Sequence, residues 1–172
     1  LKMQVEFGLP SIGGKDSMSG TFENINVPPM LMAFGITTVD AGQVISPELK
    51  YEGNRLYLIR HTPMDNYMPD VEQLKANWKY VHQQIQAGNI ISGYALGFGG
   101  LAEAICKMSF GNGLDAKIKY DEKELFNYAY GSILVEAEEE LDWPNAILIG
   151  EVTDGEESEL TINGKKFDIF EL

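Results

Sequence analysis

Apolar and polar positions fall in blocks along this chain, and the period of each block predicts an element. Residues 70–87 carry the clearest helical pattern. Val71, Leu74, Trp78, Val81 and Ile85 recur at spacings of three and four, which lays one apolar stripe along a helix. Asp70 is placed to cap its start and Gly88-Asn89 to stop it. NIISGYAL (89–96) reads as a strand feeding a second helix, GGLAEAICKMSF (99–110), closed by Gly111 and Gly113. RLYLIRH (55–61) reads as a strand, and AILIGEVTD (146–154), almost continuously apolar, as a central one. MLMAFGITTVD (30–40), introduced by Pro28-Pro29, predicts a buried strand.

Weaker patterns fill the gaps. LKMQVEF (1–7) reads as the end of a helix, and residues 9–12 as a short strand entering the glycine-rich stretch GLPSIGGKDSMSG (8–20). Residues 41–53 read as loop, 116–119 as a short strand, and 121–128 as a helix with its own acidic cap. SILVEAE (132–138) alternates weakly, while LTINGKKFDIF (160–170) sets Asn-Gly between two β-prone runs and predicts a hairpin. Strand–helix alternation followed by paired strands predicts an α/β (α+β) fold, a mixed sheet layered with helices. A single domain is expected over 1–172, with a lead-in segment and glycine loop at 1–28 and the core at 29–172. A chain that starts on Leu in mid-helix is expected to be a piece of a longer one.

Composition narrows the function classes. Twenty-six acidic against thirteen basic residues give a net charge of −13. Such a field opposes non-specific nucleic-acid binding, which depends on Lys and Arg neutralising phosphates. It leaves room for a small phosphorylated ligand held by backbone N–H groups and a cation or two. Cys106 is the only cysteine, which excludes an intrachain disulfide and a multi-cysteine metal site. No apolar run has membrane-spanning length, and a cytoplasmic protein with no membrane partner is the expectation.

Candidate chemistry centres on two glycine-rich turns. In the first, Gly8 lies one residue too far from Gly14-Lys15 for a Walker loop, and Asp16 stands where Ser or Thr is needed. A looser anion nest with Lys15 as its point charge is one reading, and glycines serving tight turns alone is the other. In YALGFGGLAEA (94–104) a strand ends in glycines and feeds a helix, which suits a phosphate. Tyr94 to Leu101 contains no charged side chain, so nothing there would hold magnesium, and close helix–strand packing explains the glycines equally well. His61 and His82 lack acidic or cysteine partners at ligand spacing and read as structural; Cys106 reads as a buried small hydrophobe. EAEEELD (136–142) and DGEESE (154–159) read as solvated charge, and Glu103 as a carboxylate favoured by the helix dipole. The sequence nominates no catalytic residue and no metal ligand.

GLPSIGGKDSMSGTFENINVPPMLMAFG resembles a segment in the second half of phosphoribosylformylglycinamidine synthase, the large amidotransferase of purine biosynthesis. The shared signature is a Gly-Lys-Asp-Ser-Met-Ser loop, a Pro-Pro step and an apolar strand. ISPELK (45–50), GGLAEAICKMSF and ILIGEVTD extend it over nearly the whole chain. The resemblance implies a domain related to the C-terminal half of aminoimidazole ribonucleotide synthetase. The complete enzyme uses ATP, magnesium and glutamine-derived ammonia to convert formylglycinamide ribonucleotide to its amidine. It further implies that Gly14, Lys15, Asp16, Ser17, Gly99 and Gly100 contact substrate or nucleotide, and that the partners are the remaining domains of the parent enzyme.

One departure matters. The family pattern His-Asp-x-Ser-Asp-Gly-Gly-Leu falls on 94–101, where the magnesium-holding Asp becomes Ala95 and the nucleotide-touching Ser becomes Gly97. A methyl group cannot coordinate a hard cation, so Mg-ADP is expected to bind this chain weakly or not at all. Two other readings stand beside this one. One is a fragment of another ATP-using relative, such as a selenophosphate or thiamine-phosphate enzyme, which the GKDSMS loop disfavours. The other is a non-catalytic scaffold domain that self-associates as a homodimer.

Overall fold

A computed structural model describes residues 2–17, 20–154, 159–169 and 171, and it divides into two units, 1–42 and 43–172. In the first unit, helix α1 (Lys2–Phe7) ends at Gly8, whose φ of +68° turns the chain. Strand β1 (Gly13–Ser17) pairs antiparallel with β4 (Met30–Phe34), and β2 (Gly20–Phe22) pairs with β3 (Ile25–Val27). The predicted strand at 9–12 is irregular; the glycine stretch itself is the strand, because its backbone supplies the partner that β4 needs. Gly14 lies so close to β4 that a Cβ there would meet the Met32 carbonyl oxygen at 2.8 Å.

The expectation that 30–40 forms a buried strand is corrected. β4 forms, yet all five of its residues are exposed, Leu31 to 87%. Its one partner strand reads GGKDS and offers no apolar face to pack against. No described residue of this unit is buried.

The second unit is built on seven strands. In chain order they are β5 (Arg55–Ile59), β6 (Ile90–Ala95), β7 (Asp115–Ile118), β8 (Ile133–Ala137), β9 (Ala146–Thr153), β10 (Glu159–Ile162) and β11 (Lys165–Asp168). Their order in the sheet is β11-β10-β7-β9-β5-β8-β6, with only β10–β7 parallel. The predicted mixed sheet with layered helices is therefore present, and β9 is its middle strand. Helices α2 (Val71–Gln86) and α3 (Gly100–Phe110) cover opposite faces. Leu56 and Leu58 of β5 pack with Leu101, Ala104, Ile105 and Met108 of α3, while the alternating Tyr57 and Ile59 pack with Val81 of α2. The Asn-Gly hairpin forms as read, with φ of +51° at Asn163 and +80° at Gly164 joining β10 to β11; Phe170 lies outside the described residues. Among the described residues no helix is long and apolar enough to cross a membrane.

Two local expectations change. Residues 121–128 form successive turns rather than a helix. The Asp121 carboxylate accepts the Lys123 N–H, Glu124 returns to the Asp121 carbonyl, and the Leu125 carbonyl is drawn away to accept the Ala102 N–H of α3. On α2 the buried positions are Leu74, Asn77 and Val81, while Trp78 is 37% exposed. Asn77 enters the core because both its amide nitrogen and its amide oxygen find partners. It donates to the Arg60 carbonyl and accepts from Trp143 and Asn145. The Asp70 cap forms as read, accepting the Gln73 N–H at 3.0 Å.

Glu136 departs furthest from expectation. Read as part of a solvated acidic run, it is fully buried in β8. Its carboxylate accepts from the Lys50 and Tyr51 N–H groups, the Asn54 amide and the Ser92 hydroxyl at 2.7–3.0 Å. Four donors replace the water it has lost, so the charge is tolerated without a cation beside it. Glu136→Leu leaves those donors facing a methyl surface. The expected loss is about 3 kcal/mol of unfolding free energy in urea titrations, with Glu136→Gln losing less because one of its two head atoms still accepts.

Candidate functional site

The two glycine turns nominated by sequence lie in different units. In the first, Gly14, Lys15 and Asp16 are exposed on β1, in register with Ala33, Met32 and Leu31. Consecutive residues of a strand face opposite ways, so Lys15 and Asp16 project from opposite sides of the pair. Ser17 ends the strand, opposite Met30; Met18 and Ser19, the rest of the GKDSMS signature, lie outside the described residues. Extended backbone between 13 and 17 also sends successive N–H groups to opposite edges rather than into one nest.

The second turn is occupied by the chain's own groups. The Gly99 N–H donates to Glu103 Oε2 at 2.9 Å, the Gly100 N–H to the Gly97 carbonyl at 3.2 Å, and the Ala102 N–H to the Leu125 carbonyl at 2.9 Å. The other carboxylate oxygen, Glu103 Oε1, takes Lys107 Nζ at 2.6 Å, and Lys107 also reaches the Tyr94 hydroxyl and lies 5.5 Å from the centre of that ring. Lys107 and then the Gly99 amide hold the Glu103 carboxyl below the usual carboxylate range; Glu103 in turn raises the Lys107 ammonium. Gly100 has φ +66°, and a Cβ on it would strike the Asn127 and Leu125 carbonyl oxygens at 2.6 and 2.8 Å. Its glycine is demanded by close backbone approach.

The remaining nominated side chains resolve individually. Ala95 is exposed and Gly97 half-buried, and neither carries a ligand atom on its side chain. His61 is buried: Nε2 accepts the Asp70 N–H, which leaves Nδ1 to donate to the Tyr130 carbonyl at 2.8 Å. It clamps the start of α2 to the 130 turn, the structural role read from sequence. His82 is exposed, and Cys106 is half-buried with its thiol pushed up by burial. Of DGEESE, residues 155–158 lie outside the described ones. Among the described residues no three His, Cys, Asp or Glu side chains converge as a metal site would require. The Glu103 cap was visible in sequence only as an acidic residue in a first turn; its bond to the Gly99 amide depends on the path of 97–99, while Lys107 meets it one helical turn on.

Ionisation of Glu103 has a signed consequence. Its folded pKa lies below the ordinary 4.5, so its contribution to stability is full above that value and fades as pH falls through the depressed one. Thermal melts between pH 6 and 3 are expected to show a shallower acid limb for Glu103→Gln than for the parent chain. Superimposable limbs would contradict the pairing.

No family model matches the chain. Two curated relatives do, both the phosphoribosylformylglycinamidine synthase subunit PurL of Lactobacillus delbrueckii subsp. bulgaricus strains. Each is 25% identical over 188 aligned positions covering 93% of this chain. Among solved structures, PurLQS from Thermotoga maritima matches 98% of the chain with a TM-score of 0.74 at 13% identity. T. maritima PurL complexed with AMPPCP gives 0.68 at 12%, and PurL complexed with FGAR gives 0.67 at 10%, each again over 98% of the chain. The chain spans about a quarter of the length of the curated relatives and about a third of the solved ones. In sequence and in fold the chain is similar to part of the PurL subunit of phosphoribosylformylglycinamidine synthase, as its glycine loop implied.

Proposed function

We propose that this chain is part of a phosphoribosylformylglycinamidine synthase, an ATP-dependent ligase that takes ammonia from glutamine and makes an amidine from formylglycinamide ribonucleotide. The observation that carries the reading is the GKDSMS loop together with similarity to PurL along almost the entire chain. Magnesium nucleotide does not fit the start of α3. Ala95 offers a methyl group, Gly97 no side chain, and the nearest carboxylate, Glu103, is held by Lys107 and Gly99. The remaining domains of the parent enzyme, in the cytoplasm, hold ATP and supply the glutaminase chemistry. This chain contributes Lys15 to a shared wall, as a point charge for a phosphate.

The complete protein that carries this sequence is the object to test. Given formylglycinamide ribonucleotide, ATP, magnesium and glutamine, it is expected to form the amidine. Lys15→Met is expected to lower kcat/KM by about tenfold or more. Absence of amidine rejects the assignment, and full activity of the variant rejects the role of Lys15. Calorimetric titration of the 172-residue chain with Mg-ADP is expected to give no magnesium-dependent binding in the micromolar range. Micromolar, magnesium-dependent affinity would overturn the account of α3.

A second reading, a scaffold domain that forms a homodimer, draws on one observation. Phe22, Ile25, Leu31 and Phe34 are all about half exposed or more in a unit with no buried described residue. Sedimentation at several concentrations decides it: a dimer that persists on dilution favours self-association, and a monomer discards it.

A further inference from the structure

The two helices do not cover the sheet evenly. On the α2 side, the packing cluster takes in residues of β5, β6 and β8 and Ala146 at the start of β9, but none of β7, β10 or β11. The uncovered half opens as a groove of about 700 Å3 across β5, β9, β7 and β10. Leu148 lies in its floor, 55% exposed although it belongs to the middle strand of seven. A groove of this size matches those that take small ligands.

The charge around it is opposite to that of the protein. Arg55, Lys117 and Lys119 line the groove, and none makes an ion pair with a described residue. Carboxylates outnumber cations two to one in the chain, and Lys50, Lys107, Lys165 and Lys166 all find one. Three unpaired cations in one concavity therefore concentrate positive potential where the overall field is negative.

Register places these groups. One row crosses the strands as Arg55, Glu151, Lys117 and Thr161, each opposite the next. Glu151, opposite both Arg55 and Lys117, offsets one of these two charges. Lys119 lies two residues beyond Lys117, about 7 Å along the chain and on the same side. Its N–H is bonded to the Ile149 carbonyl, and its side chain makes no ion pair with a described residue. Three cations against one carboxylate leave the lining with a positive excess, and Lys117 lies opposite the Thr161 hydroxyl.

We propose that this groove is a binding site for a small polyanion, of the phosphate or polycarboxylate class, clasped by Lys117 and Lys119 with Thr161 as a hydroxyl partner. Its lining shares no residue with either glycine turn, and it is independent of the synthase assignment. Lysine suits the role because a compact ammonium acts as a point charge for either oxyanion.

The test is amide NMR of the 172-residue chain titrated with pyrophosphate and, in a parallel arm, citrate, at low salt. Saturable shifts are expected at residues 117–119, 150 and 161–164, with a dissociation constant in the range of about 0.1–1 mM. The double variant Lys117→Met, Lys119→Met is expected to bind at least tenfold more weakly, and its exposed positions leave the fold intact. Whichever probe binds more tightly identifies the oxyanion class. The proposal is overturned if neither probe gives saturable shifts in the groove by about 10 mM. It is equally overturned if the double variant binds as well as the parent, or if the shifts gather at Gly14 or Gly99 instead.

Discussion

A single buried carboxylate organises the second unit. Glu136 sits in β8 with no exposed surface, and three of its four donors come from residues 50–54, a stretch with no regular structure of its own. An ionised group with no water must be surrounded by donors, so the charge dictates where that stretch runs. Leu49 is thereby delivered into the core, where its N–H meets the Met108 carbonyl at the end of α3 and its carbonyl accepts from Asn112. The fourth donor, Ser92, ties in β6. Loop, edge strand and helix end are thus referenced to one side chain.

The same logic of internal satisfaction governs α3. Amides at its start that a ligand phosphate would use are committed to Glu103, Gly97 and Leu125. A helix dipole that needs an anion already has one, supplied in cis and locked by Lys107. Similarity of fold to proteins solved with nucleotides therefore does not carry nucleotide contacts to this turn residue by residue.

Much of the architecture was legible because long periodic segments report it. The stripe on α2, the glycine-fed α3, the continuous apolar run of β9 and the Asn-Gly hairpin each combine a period with a punctuating residue. What failed to show was long-range. Nothing local separates Glu136 from the acidic residues after it, since its donors lie more than forty positions away. Asn77 displaced Trp78 from the buried face because partners at 143 and 145 satisfy its amide. β4 has the composition of a core strand but only a polar, glycine-rich neighbour. For the nominated glycine loop, the residues could be read from the sequence but their orientation could not, because alternation along a strand appears only once the loop is known to be one.

The Glu103–Lys107 pair also bears on what a new acidic side chain near this turn would meet. A carboxylate placed at position 95 would find the Gly99 amide already engaged and would add its charge to that of Glu103. The start of α3 thus carries its own counter-ion, and that internal anion sets the electrostatic terms on which any further charge enters the turn.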